Sequence, residues 1–219
     1  MERIKIINIC ERMDLLDAVD KMVANHWPAF MMGTSVNAEY WDRLYQPPFS
    51  QYQFIAIHQD NGQEKVIGLI NAVAFPWQGS LDQLPEKGWD RIFTMAMESD
   101  DQKQPCQLIS ALSVTVDQNY RGKNIPQQLI LALKEYAEQQ GYLGVVVPVR
   151  PTLKHLYPLQ KFEDYITWVN DQLEPFDPWI RTHWRLGAKI IKIAPKSMTI
   201  THSVAGWHEW TGLQFPQNG

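Results

Sequence analysis

The chain has few cysteines, no long apolar run and no excess of positive charge. Its 219 residues include only Cys10 and Cys106, far apart in sequence, which argues against a disulfide framework and makes no zinc site. No apolar stretch approaches the roughly 18–20 residues that cross a bilayer, so no membrane partner is expected. The N-terminus, MERIKIINICERMD, carries charges where a signal peptide places its apolar core, and a cytoplasmic protein is expected. A formal net charge of -4 gives no electrostatic reason to expect nucleic acid. His26, His58, His155, His202 and His208 lack metal-ligand spacing such as H-E-x-x-H, so no metal is expected. Neither a Gly-x-Ser-x-Gly elbow nor a Walker-type loop occurs.

What remains is an ordinary globular composition, 45% hydrophobic and 20% charged, with nine tryptophans. An indole buries much area and needs one partner for its N–H, so most should be core and some should line a sizeable cleft. Ile4–Ile9 reads as a strand, and Leu15, Leu16, Val19, Met22 and Val23 recur at helical spacing from about Asp14, a potential cap, to Ala24. A short helix is expected over Ala38–Tyr45. Phe54–His58 and Val66–Ala74 flank Asp60-Asn61-Gly62, a hairpin signal, and Gly68 suggests a bulge or a close backbone approach. Residues 76–105 read as an excursion over the surface or across the site, with a helical stretch near Trp89–Met97.

Leu108–Val116 and Leu143–Val149 read as buried strands. Between them Gln127–Gln140 is an amphipathic helix closed by Gly141. A further helix starts near Asp177-Pro178 and ends at Gly187. Lys189–Ile193, Ser197–His202 and Gly206–Thr211 give candidate last strands. This order defines an α/β fold with a mixed sheet, and one domain, 1–219, suffices.

The segment Val116-Asp117-Gln118-Asn119-Tyr120-Arg121-Gly122-Lys123-Asn124-Ile125-Pro126-Gln127 joins a buried strand to the clearest helix. A turn feeding a helix N-terminus aims unpaired backbone N–H groups and the positive end of the helix dipole at one point, which suits phosphate. Arg121 and Lys123 add charge, and Gly122 permits close approach. On these residues alone, a solvated surface turn is an equally open reading.

The segment resembles the signature of the GNAT acetyltransferase superfamily, Arg/Gln-x-x-Gly-x-Gly/Ala, often within V-x-P-x-Y-R-G-K-G-I-G. Val116, Tyr120, Arg121, Gly122, Lys123 and Ile125 match, whereas Asn124 and Pro126 occupy the two small-residue positions. Asn tolerates a left-handed backbone, and Pro126 can start the helix but removes one N–H. The resemblance implies a single-domain fold with a mixed, mostly antiparallel central sheet flanked by helices. It implies acetyl-CoA, or another acyl-CoA, as co-substrate. Backbone groups of Val114, Thr115 and Val116 should pair with its pantetheine arm. Amides of Arg121, Gly122, Lys123, Asn124, Ile125 and Gln127 should hold its pyrophosphate. The acceptor is expected to be an amine of a small molecule or protein.

R-L-G-A-K-I-I is similar to a family region that commonly reads Y-E-K-L-G-F, whose Tyr protonates the departing thiolate. Counting back four from Gly187 gives His183 instead. Its imidazole titrates near neutrality and could act as acid or base. It could equally be a histidine packed on an amphipathic helix. Thr152 follows the strand that ends near Val149, and it reads either as a site residue or as a helix cap. Thr152 with His183 resembles a GNAT-like branch of polyketide synthase loading modules, which decarboxylates malonyl-CoA and passes acetyl to a carrier-protein thiol. An acyl carrier protein is then the implied partner, and Trp27 and Trp41 either wall the acyl pocket or pack in the core. A degenerate, non-catalytic CoA-binding module is the third reading.

Overall fold

The computed structural model describes residues 3–216. Five strands form one sheet in the order β1 (Arg3–Asn8), β2 (Phe54–Asp60), β3 (Gln63–Phe75), β4 (Leu108–Val116) and β5 (Val145–Val146). The first four are antiparallel neighbours and β5 runs parallel to β4, so the sheet is mixed and mostly antiparallel, as expected. The helices are α1 (Leu16–His26), α2 (Ala29–Met32), α3 (Ser35–Tyr40), α4 (Gly88–Asp101), α5 (Ile125–Gln139), α6 (Phe162–Tyr165), α7 (Pro178–Arg185) and α8 (Val204–Thr211). Helices α1, α4 and α5 pack on the sheet. No helix among the described residues is long and apolar enough to cross a membrane.

The β2–β3 hairpin turns at Asn61 (φ 47°) and Gly62 (φ 79°), the left-handed pair that an Asn-Gly turn supplies. Gly68 fulfils both of its expected roles. It faces Ala56 while Val66 faces Ile57, leaving Ile67 as the extra residue of a bulge. A Cβ at Gly68 would stand 2.8 Å from Ile125 Cγ2, so the missing side chain lets α5 lie directly on the strand. Along α5, Ile125, Leu129, Leu133 and Ala137 are buried at helical spacing. Gly141 (φ 78°) closes the helix, with Gly141 N–H donating to the Glu138 carbonyl and Tyr142 N–H to that of Ala137.

Four expectations need correction. Asp14 does not cap α1: its carboxylate pairs with Arg12 at 2.8 Å, and α1 starts after it without a side-chain cap. The helix expected over Ala38–Tyr45 begins earlier, at Ser35 with Thr34 as its cap, and tightens to a 3-10 turn from Trp41. Of the two readings of the excursion at 76–105, over the surface or across the site, it is the surface one that fails. Its helix α4 buries Trp89, Ile92, Phe93, Ala96 and Met97 in the core.

The C-terminal strands are the fourth. None of the three forms: Gly206–Thr211 lies in α8, whose cap Ser203 accepts from Gly206 N–H. Ile190 and Ile191 are exposed. The chain at 196–199 instead crosses the start of α4. There Asp90 N–H donates to the Ser197 carbonyl, Trp89 N–H to Ser197 Oγ and Thr199 N–H to Asp90 Oδ2. Two of the helix's orphan N–H groups are thereby satisfied from a distant segment.

Candidate active site

The loop after β4 is shaped by two left-handed residues, Gly122 (φ 80°) and Asn124 (φ 56°), the latter standing immediately before α5. Such alternation turns successive amides toward one side and makes an anion-binding concavity. Asn thus occupies a position where the signature has a small residue because it tolerates the same backbone. Pro126 sits in the first helical turn, where its missing N–H costs no intrahelical bond. Residues 121–124 are exposed and Ile125 is buried, anchoring the turn. Asp117 organises the approach: Oδ1 accepts from Asn119 N–H, and Oδ2 meets Lys65 Nζ at 2.7 Å. The Lys65 ammonium holds the Asp117 carboxyl below its usual range. The ammoniums of Lys65 and Lys123 lie 5.5 and 5.2 Å from the Tyr120 ring centre, so positive charge gathers beside the loop.

Strand β4 leads from this loop to a cavity. A bulge breaks its register with β3: Asn71 faces Ser113 but Ala72 faces Ala111, leaving Leu112 as the extra residue. Polar groups around the bulge are satisfied by side chains. Gln53 Oε1 accepts from Ala72 N–H and its Nε2 donates to the Ala72 carbonyl, while Trp89 Nε1–H donates to the Leu112 carbonyl at 2.8 Å. In consequence Leu112 and Ser113, though consecutive, both line the cavity.

The parallel pairing with β5 covers only Ile109–Val145 and Ser110–Val146. The expected strand at 143–149 is therefore reduced to two residues and is half-buried, with Leu143 exposed. From Val147 the chain parts from β4, and the gap is the cavity. Val114, Thr115 and Val116 lie beyond the split, with no strand pairing along that side of β4 among the described residues. Thr115 is buried and its Oγ1 accepts from Trp27 Nε1–H at 2.8 Å.

The cavity has a volume of about 340 Å³. Trp27, Trp41 and Trp89 wall it with Asn37, Arg150 and the 194–198 segment, so three of the nine tryptophans line a cleft. A second hollow of about 420 Å³ adjoins along Trp27 and Trp41 and is bounded by Asp20. Asn37 Nδ2 donates to the Met31 carbonyl, which fixes the amide orientation and leaves the buried Oδ1 without a donor. An unsatisfied buried oxygen costs about 1–3 kcal/mol.

The structure does not bring Thr152 and His183 into hydrogen-bond contact, and neither stands in the cavity wall, which on that side ends at Pro151. Thr152 is exposed. His183 is 5% exposed on α7, its ring edge-on to Trp179 at 4.5 Å, with Nε2 unpartnered. Asp177 links their surroundings: it caps α7 through Trp179 and Ile180 N–H and accepts from Leu153 N–H and Tyr165 Oη–H. Burial would raise this carboxyl, but those donors outweigh burial and hold it below its ordinary value.

Burial lowers the His183 pKa from 6.5 to about 4. The ring's neutrality is a stabilising condition fully met above pH 6.5 and lost as pH falls toward 4, where the unfolded chain binds a proton that the folded chain refuses. The contribution is on the order of 3 kcal/mol. His183→Phe is expected to flatten this acid limb, read as urea midpoints at about pH 7.5 and about pH 5. Equal acid sensitivity in the variant would place the titration elsewhere.

Asn37, Trp89 and Arg150 escaped the sequence reading, because no spacing marks residues that meet only when α3, α4 and the chain after β5 converge. Trp27 and Trp41 were open to two readings, core packing or a pocket wall, and both side chains line the cavity. No protein-family model matches the chain. It is 36% identical over 197 residues to avaD, an arginine N-acetyltransferase of Aspergillus versicolor, across 85% of this chain and 67% of that protein. The loading GNATL domain of CurA from Lyngbya majuscula superimposes with a TM-score of 0.66 at 20% identity over 90% of each chain. The GphF GNAT-like decarboxylase in complex with isobutyryl-CoA gives 0.58 at 17% identity, covering 89% of this chain and 94% of that one. At those identities the likeness is one of fold. The chain belongs to the GNAT acetyltransferase superfamily. It is an acyl-CoA-dependent acyltransferase of the N-acetyltransferase type.

Proposed function

We propose that the chain, as a single domain over 1–219, moves an acetyl group from acetyl-CoA to the amine of a small molecule, with arginine as the leading acceptor. The observation that carries this reading is the aromatic cavity opening where β5 leaves β4, continuous in sequence with the phosphate-suited loop. The activity of the Aspergillus relative supports the acceptor. In this reading the β4 edge at Val114, Thr115 and Val116 pairs with the pantetheine arm. The amides of Arg121, Gly122, Lys123, Asn124, Ile125 and Gln127 hold the pyrophosphate. The thioester is already activated, so positioning supplies much of the rate.

The incoming ammonium must lose a proton before it attacks. His183 and Thr152 are the proposed catalytic residues, although neither stands in the cavity wall: with a pKa near 4 the imidazole is too weak a base to hold an ammonium's proton, and the family resemblance gives its position the role of donor to the departing thiolate. Mass spectrometry after incubation with acetyl-CoA and L-arginine should find acetylarginine and free CoA. An amine panel with no acetylated member would overturn the reading. Loss of carbon dioxide from malonyl-CoA, with acetyl on an acyl-carrier-protein thiol, would establish the decarboxylating chemistry in its place.

A further inference from the structure

Arg150 stands in the cavity wall with an unusual partner. Its guanidinium donates to Met31 Sδ at 2.8 Å, and a thioether is a weak acceptor. Arg12, Arg43, Arg91, Arg181 and Arg185 each meet a carboxylate. Among the described residues no carboxylate pairs with Arg150. A planar guanidinium at a cavity, unmatched by acid, is the group that takes a substrate carboxylate through two parallel hydrogen bonds.

The adjoining hollow has the opposite character. Asp20 bounds it, beside the two indoles that both hollows share. Asp20 is exposed, yet partial desolvation lifts its carboxyl above the ordinary value, and the negative charges of Asp42 and Asp17 add to the effect. A cation arriving there relieves that repulsion, and indole faces attract a guanidinium or ammonium. Asn37, in the same wall as Arg150 and both indoles, contributes the buried Oδ1 that lacks a donor, which an N–H from a substrate can supply.

We propose that the acceptor cleft recognises a basic α-amino acid as a zwitterion, with Arg150 taking the α-carboxylate, Asp20 the cationic end of the side chain, and Trp27 and Trp41 the methylene spacer. The proposal rests on the amine-acetylating function above and names the substrate class of that site. Both charges are needed, so a molecule with either one alone is a poorer acceptor.

The test compares L-arginine with agmatine, which lacks the carboxylate, and with citrulline, which lacks the side-chain charge. Each is measured as kcat/KM and, separately, as affinity for the CoA-loaded protein by calorimetry. Wild type should favour arginine over either analogue by at least tenfold. Arg150→Met should collapse the arginine/agmatine ratio at least tenfold, and Arg150→Lys should restore part of it. Asp20→Asn should collapse the arginine/citrulline ratio in the same way. Ratios that stay the same in the variants, or a wild type indifferent to both analogues, overturn the proposal. Charge-dependent affinity without acetylation sinks the proposed function and leaves the cleft assignment standing. Acetylation of an uncharged amine alone does the reverse.

Discussion

Replacing Arg121 with glutamate is expected to raise the dissociation constant for acetyl-CoA by about 100-fold. A hydrogen bond to a charged group contributes about 1.5–3 kcal/mol, and reversing the sign adds repulsion from a carboxylate placed beside phosphate. Each 1.4 kcal/mol is about tenfold in affinity. Arg121 is exposed, and no ion pair ties it to the protein among the described residues. Folding stability should therefore change by no more than about 0.5 kcal/mol. Calorimetry at two salt concentrations checks the cause as well as the size, because screening must shrink the difference between wild type and variant. Unchanged affinity would remove Arg121 from the phosphate site.

Gly68→Val should damage fold and ligand binding together. Its Cβ would stand 2.8 Å from Ile125 Cγ2, 3.3 Å from Ala56 Cβ and 3.4 Å from Leu129 Cδ1. All three neighbours are fully buried, so none can swing aside and the start of α5 must lift. Overpacking of this kind costs about 1–3 kcal/mol. At about 2–4 °C per kcal/mol for a chain of this size, a loss of several degrees in Tm follows. The informative readout is the Tm gained on adding acetyl-CoA. It should fall in Gly68→Val, because Ile125 opens the turn that holds the loop amides. It should persist in Leu133→Ala, which empties core volume two turns further along α5. Equal ligand-induced gains in both variants would uncouple Gly68 from the loop.

The parts legible from sequence were those where local chemistry and global packing demand the same thing. Asn61-Gly62 supplies the left-handed turn, Asp177-Pro178 the cap and first turn of α7, and Gly68 the close approach, each a property of one or two residues. Leu108–Val116 and the apolar stripe of α5 follow from burial on the sheet. The C-terminal strands failed because alternation of apolar residues identifies an extended chain without saying what it pairs with. Here the 196–199 segment is held by the first turn of α4. Gly206–Thr211 failed differently, since the residue that starts its helix, the Ser203 cap, was present in the sequence and went unread. At the site, the loop was readable because its conformation is written in Gly122 and Asn124. The acceptor side was not, because Asn37, Arg150 and Asp20 acquire meaning only from what they face across a cavity.

The two-rung junction between β4 and β5 has a further consequence for the protein without its co-substrate. Beyond Ser110 the outer side of β4 has no strand along it among the described residues, and an open edge invites pairing with another chain. A bound acyl-CoA arm would occupy that edge and cap it. Concentrated ligand-free protein should therefore self-associate more readily than loaded protein, with the coenzyme acting as a solubility factor as well as a reactant.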